Sequence, residues 1–164
     1  MAVNIRDAGA EDAKAICDIY NHYIEHTFIT FEETLLKVDE MRQRIEDVAA
    51  QQLPWLVAES NGAIAGYAYA GKWKGRCAYR HTVEITVYLA QDFTGRGLGV
   101  QLYGALFDRL RAGSIHVAIG GIALPNAASV ALHEKMGMKK VAHFEQVGHK
   151  FGEWIDVGYW QATF

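Results

Sequence analysis

The run TVEITVYLA (82–90), followed by TGRGLG (94–99) and then LGVQLYGALFDRL (98–110), decides how the chain is read. The first segment is apolar and β-branched and predicts a strand. In the last, Leu98, Leu102, Leu106 and Leu110 recur at helical spacing, with Tyr103 and Phe107 beside them, so a helix is expected over 97–111. Glycines at alternate positions between a strand and a helix suit an anion cradle. The helix start offers free N–H groups, its dipole favours negative charge, and glycine lets a ligand approach the backbone closely. Arg96 adds a cation beside it. A tight strand-to-helix turn without a ligand is the alternative on spacing alone.

The elements on either side extend this reading. VNIRDA (3–8) alternates as a strand, and DAKAICDIYNHYIEH (12–26) reads as a helix that Asp12 could cap. A second helix is expected from Val38, with Met41, Ile45 and Val48 as its apolar stripe. PWLVAES (54–60) and AIAGYAYAG (63–71) flank Asn61-Gly62, a hairpin signal. HVAIGGIA (116–123) reads as a buried strand, and NAASVALHEKMGM (126–138) as a helix stopped by Gly137. KKVAHFEQVGHKF (139–151) and WIDVGYWQATF (154–164) close the chain as strands. The order β α α β β β α β α β β predicts an α/β fold with a mixed sheet and one central βαβ unit.

Bulk properties restrict the function classes. The 164 residues fit one domain, residues 1–164, and 51% hydrophobic with 12% aromatic content argues for a globular protein. A formal charge of −3 gives no reason to expect nucleic acid, and no apolar run approaches a membrane span. The first residues, MAVNIRDAGAEDA, turn polar too early for a signal peptide, and Cys17 and Cys77 lie far apart without CxxC spacing. Free thiols in a reducing cytoplasm are expected. A Walker A loop needs GxxxxGK[ST], which is absent. A dinucleotide fingerprint needs GxGxxG and a later acidic residue, and VAIGGIALPN (117–126) contains none.

The loop TGRGLG resembles the pyrophosphate-binding loop [QR]-x-x-G-x-[GA] of the GNAT superfamily of N-acetyltransferases. Gly97 and Gly99 fit, while Thr94 stands where Gln or Arg is usual. NHYIEHTFITFEET (21–34), PWLVAE (54–59), YAYAGKWKGRCAYRHTVEITVYL (67–89), GLGVQLY (97–103), LPNAASVALHEKMG (124–137) and GHKFGEWIDVGYWQ (148–161) resemble the phosphinothricin and methionine sulfoximine or sulfone N-acetyltransferase group over nearly the whole chain. The resemblance implies a GNAT-type fold, a mixed central sheet flanked by helices and splayed at the cofactor site. It implies acetyl-CoA as co-substrate and no metal. Val87, Tyr88 and Leu89 would pair with the pantetheine. Gly95, Arg96, Gly97, Leu98, Gly99 and Val100 would hold the pyrophosphate. Asn126 and Ser129 would sit near the thioester. Relatives of this group are often homodimers, and the partners implied are a small amino-acid-like acceptor and a second copy, with no nucleic acid and no membrane.

Acetyl transfer to an amine needs a base, because an α-ammonium with a pKa of about 8 is mostly protonated at neutral pH. Glu84 lies inside an apolar strand, where a buried carboxylate is costly and its pKa rises. Alternation with Thr82 and Thr86 could instead turn it to solvent. The resemblance places the presumed base here. His133 is an unremarkable helix residue on periodicity, yet LHEKMG (132–137) matches the superfamily's LYEKLG, whose tyrosine often protonates the departing thiolate. Histidine can move a proton either way near neutral pH. Asn126 also reads as a plain helix N-cap. KWKGRCAYR (72–80) is a solvated loop or an anion clamp, and the resemblance assigns Lys74, Arg76 and Tyr79 to the acceptor together with Phe31, Tyr69 and Thr86. Ala123 stands where relatives often have glycine, narrowing that pocket. HYIEH (22–26) satisfies the H-x-x-E-H string of some zinc peptidases, but a third ligand is not evident.

Overall fold

The computed structural model describes residues 2–164. Among these residues seven strands form one sheet, arranged in chain order except that the seventh lies between the fifth and the sixth. They are β1 (Asn4–Asp7), β2 (Trp55–Ser60), β3 (Ala63–Lys72), β4 (Thr82–Leu89), β5 (Val117–Leu124), β6 (Lys139–Lys150) and β7 (Glu153–Thr163). Helices α1 (Ala13–His26), α2 (Val38–Ala50), α3 (Leu98–Ala112) and α4 (Ala127–Lys135) cover its two faces. Every predicted element is present, with bounds within about two residues except that α4 stops at Lys135, just before Gly137 in a left-handed conformation (φ 81°). Short 3-10 turns at Ala10–Asp12, Cys77–Tyr79 and Gln91–Phe93 add to the predicted set.

The sheet is mixed, as the element order required. All pairings are antiparallel except β4 with β5, whose connection is α3. Asn61 and Gly62 both take positive φ, 51° and 78°, which a two-residue turn of the I′ type needs. The leucine stripe of α3 is buried: Leu102 and Leu106 are fully enclosed and pack with Tyr103 and Phe107 on one face of the sheet. On the other face α1 and α2 bring Ile16, Ile24, Met41 and Ile45 against Trp55, Val57 and Tyr67. Among the described residues no helix is long and apolar enough to cross a membrane. Cys17 is buried, Cys77 is exposed, and both are free thiols.

One expectation is corrected. Asp12 does not cap α1 with its side chain. Its carboxylate accepts two bonds from the Arg6 guanidinium, at 2.8 and 2.9 Å, and one from the Gly9 N–H at 2.8 Å. A bidentate charged partner outcompetes a helix N–H for a buried carboxylate. These bonds hold the Asp12 carboxyl below the usual range, with the Arg6 bond contributing most. Asp12→Asn should therefore lower the unfolding free energy at pH 7 by about 2 kcal/mol. That is less than for a fully buried pair, because the Arg6 side chain is 34% exposed. The carboxylate's contribution is complete above the unfolded pKa near 3.9 and disappears as pH falls through the lower folded value. Urea titrations at pH 7 and pH 2.5 should show the gap between the two proteins closing at the acid end.

Candidate active site

The parallel register of β4 with β5 runs from Thr82↔Val117 to Glu84↔Ile119 and stops. Beyond Glu84 the strands part. On this side Val87 to Leu89 have no strand partner, although β4 stays paired with β3 through Leu89. The opening holds two joined cavities of about 210 and 380 Å3. Ile29, Val87, Tyr88, Asn126 and Ser129 line both, so they form one continuous cleft.

The outer cavity ends at the glycine loop. Thr94, Gly95, Gly97, Leu98, Gly99 and Val100 border it. Gly95 and Gly97 take φ of 71° and 76°, a region that costs a side chain about 1–2 kcal/mol, and Gly97 is the N-cap of α3. Gly99 matters for packing instead. A Cβ there would lie 3.1 Å from Leu132, so its absence lets α3 pack closely on α4. Gln101 donates to the Gly97 carbonyl, which leaves the N–H groups of Leu98, Gly99 and Val100 without a helical acceptor beside the cavity. An anion fits such a cradle. Thr94 turns its hydroxyl onto the Gln91 carbonyl at 3.0 Å. Arg96 departs from the sequence expectation: its guanidinium lies over the Phe93 ring, 5.8 Å from the centroid, and it borders a separate depression with Val3 and Gln101. Lys135 borders the outer cavity, and its place in the last turn of α4 gave no sequence signal. The Leu89 carbonyl already accepts the Tyr23 hydroxyl at 2.6 Å.

The inner cavity holds the titratable groups. Glu84 sits at its floor, half-buried, with Oε1 towards Gly121, and accepts no protein hydrogen bond among the described residues. Burial pushes its carboxyl above the ordinary value, and the charge of Lys74 partly opposes that. His133 is 3% exposed and packs on Gly120, where a Cβ would lie 2.5 Å from Nε2. Its Nδ1 lies 2.7 Å from the Ser129 carbonyl and Nε2 lies 3.2 Å from the Tyr103 hydroxyl. A carbonyl only accepts, so Nδ1 carries the hydrogen and Nε2 accepts from Tyr103. Burial lowers the His133 pKa, with the Ser129 bond opposing. Tyr103 lines the same cavity, and its position beside the leucine stripe marked it only as core. Asn126 does cap α4: its Oδ1 accepts from the Ser129 N–H at 3.1 Å, which leaves the amide nitrogen for the cleft.

The expected acceptor residues divide into two groups. Thr86 lines the inner cavity opposite Tyr69 in the β3–β4 ladder, and Tyr69 stacks on Trp55 with centroids 4.0 Å apart. Ala123 lines it as well. Lys74, Arg76 and Tyr79 lie on the exposed connection between β3 and β4, outside the cavity wall, with Lys74 Nζ 5.3 Å from the Trp73 ring centroid. Phe31 is half-exposed and rests on Gly148. His22 and His26 pack ring to ring at 4.8 Å on α1, and no cluster of three or more metal-ligating side chains occurs among the described residues.

These environments have a direct spectroscopic consequence. In 15N NMR the His133 imidazole should be the neutral Nδ1–H tautomer at pH 7 and titrate below the ordinary 6.5 or so, while Glu84 should titrate above the ordinary 4.3 or so. A His133 that becomes charged above pH 7 would contradict the geometry.

The cleft has relatives. The Acetyltransferase (GNAT) domain family matches residues 5–158. The chain is 42% identical over 165 residues to phosphinothricin N-acetyltransferase of Streptomyces viridochromogenes, covering 99% of this chain and 88% of that one. It is 40% identical over 162 residues to L-methionine sulfoximine/L-methionine sulfone acetyltransferase of Pseudomonas aeruginosa, covering 98% and 94%. The crystal structure of a phosphinothricin acetyltransferase from Sinorhizobium meliloti in complex with acetyl-CoA superposes with a TM-score of 0.97 at 33% identity, over 100% of this chain and 89% of that one. The chain is a member of the GNAT family and an acetyl-CoA-dependent N-acetyltransferase.

Proposed function

We propose that this enzyme acetylates the α-amino group of a small amino acid whose side chain ends in a polar or anionic tetrahedral group: phosphinothricin, methionine sulfoximine or methionine sulfone. The carrying observation is that Glu84 and the His133–Tyr103 pair line one small cavity continuous with the anion cradle. The named relatives supply the acceptor class. In this reading Val87, Tyr88 and Leu89 pair with the pantetheine, and the backbone of Gly95 to Val100 holds the pyrophosphate, with Arg96 contributing through its N–H and not its side chain. The free amide of Asn126, with Ser129 beside it, bonds near the thioester. Acetyl-CoA supplies the activated acetyl group.

The acceptor ammonium must lose two protons, one to solvent and one to the departing sulfur. Glu84 takes the first, helped by a carboxyl that burial makes more basic. The second moves through the pair. Tyr103 Oη accepts it as the phenol's own proton passes to His133 Nε2, and the imidazolium keeps its Nδ1–H on Ser129. The return path delivers the proton to sulfur and restores both groups. Neither Cys17 nor Cys77 lines this cavity, so transfer runs directly in a ternary complex. Lys74, Arg76 and Tyr79 close on the acceptor's anionic end from the exposed connection, and Phe31, Tyr69 and Thr86 wall its backbone end. The exposed Val141, Phe144, Val147 and Trp154 on the β6–β7 hairpin support a homodimer, and the free thiols fit a reducing cytoplasm.

CoA-thiol release, measured with the three compounds named, ordinary amino acids and short peptides, tests the acceptor. Turnover is expected with one of the three, and preference for peptides would replace this reading with a protein N-terminus as substrate. Glu84→Gln should lower kcat by about 10²–10⁴ while leaving acetyl-CoA affinity within about twofold. Tyr103→Phe should lower kcat by about 10² with both KM values little changed. Arg76→Ala should raise the acceptor KM at least tenfold and that of acetyl-CoA much less; equal changes would remove Arg76 from the acceptor site.

A further inference from the structure

Lys150 is among the most deeply buried side chains of the protein, at 2% exposure, although it carries an ammonium. Burying such a group is costly unless its hydrogens are matched. Among the described residues no carboxylate makes an ion pair with it, although the charges of Glu33 and Glu32 act on it from a distance. Its Nζ instead donates to two backbone carbonyls, Ile24 and Thr30, each at 2.8 Å, and lies 5.0 Å from the centroid of the Phe151 ring. Ile24 is in the last turn of α1, where carbonyls have no helical donor and the dipole favours a cation. Thr30 belongs to the connection 27–37 between α1 and α2, which has neither helix nor strand.

That connection borders the acceptor side of the cleft. Ile29 and Thr30 line the inner cavity, and the Thr30 hydroxyl is 2.8 Å from the Tyr20 hydroxyl. The same face of β6 holds it at a second point. A Cβ on Gly148 would lie 2.3 Å from Phe31 Cζ, so the ring sits directly on the glycine backbone. Gly148 and Lys150 are the two buried residues near the end of β6, and a two-residue turn with positive φ at Phe151 and Gly152 fixes them.

We propose that Lys150 is a positioning residue that clamps the 27–37 connection onto β6, so that the β6–β7 hairpin sets acceptor affinity without touching the acceptor. The inference rests on the reading above that this connection walls the acceptor site. It takes no part in the proton path.

Lys150→Met removes the charge and its two bonds while keeping an unbranched apolar side chain of similar length. In the full-length enzyme it should raise the acceptor KM at least tenfold, with the acetyl-CoA KM within about twofold. Amide hydrogen exchange should quicken at residues 27–33 and stay unchanged in α3. Gly148→Ala displaces Phe31 without disturbing a buried charge and should shift the acceptor KM and the same amides in the same direction, which keeps the test decisive if Lys150→Met does not fold. Equal increases in both KM values, or unchanged exchange at 27–33 in the folded variants, would overturn the clamp. If the wild type turns over none of the acceptors, the substrate reading fails, and the exchange result alone decides the clamp.

Discussion

The site depends on the early end of the parallel pairing between β4 and β5. Three rungs hold the strands together, and past Glu84 they diverge. A β-strand edge left unpaired inside a protein is an open set of donors and acceptors. Here that edge faces a cleft bounded by the starts of α3 and α4, each of which follows the end of one of the diverging strands. An extended, amide-bearing chain can replace the missing strand, and an anion at its far end meets the free N–H groups of α3. A fully zipped β4–β5 ladder would satisfy the backbone and eliminate the cofactor site, the carboxylate's cavity and the space beside His133 together.

The same opening sets the protonation states. Burial penalises the charged form of either group, so it raises the Glu84 carboxyl and lowers the His133 imidazole. Both shift in the direction that suits groups taking protons at neutral pH, one because it becomes a better base and the other because it stays neutral. The opposing influences come second to burial: Lys74 acts on Glu84 from the exposed rim, and the Ser129 carbonyl acts on His133. Both imidazole nitrogens are engaged, Nδ1 by the Ser129 carbonyl and Nε2 by the hydroxyl of Tyr103, which lines the same cavity.

Much of this was legible in the sequence because it is encoded locally. The alternation of 82–90, the leucine period of α3, the Asn61-Gly62 turn and the glycine loop each depend on neighbours a few residues away. Glu84 stood out as a carboxylate in an apolar strand. What escaped depends on contacts between distant segments. Tyr103 looks like another core residue of α3 until His133, 30 positions later, is placed against its hydroxyl. Lys150 reads as a surface lysine in a polar strand, and its burial follows from carbonyls more than 100 residues earlier. Arg96 shows that side-chain direction is equally hidden. Its place in the glycine loop suggests a phosphate contact, but successive residues of a tight turn point in different directions, and Phe93 offers its ring.

The two halves of the cleft are built by different means, and this bears on how acceptor choice can change. The outer half is bordered by the end of β4 and the glycine loop that starts α3, whose backbone groups most side-chain substitutions leave in place. In the proposed reading the acceptor half draws on side chains of two connections that have no ladder of their own, 27–37 and 73–81, together with Ala123 on β5. Ala123 is buried on a strand paired along its whole length with β7, so its methyl is a rigid part of the inner cavity's wall. The connection 73–81 can change length or charge at little cost to the core, because it contributes to neither of the two main apolar clusters. A sheet that conserves the chemistry and loops that choose the amine would let one fold serve many acceptors. Within that arrangement a buried ammonium joining a loop to the sheet has a physical rationale, since it gives an otherwise unladdered segment the rigidity that recognition of a small substrate requires.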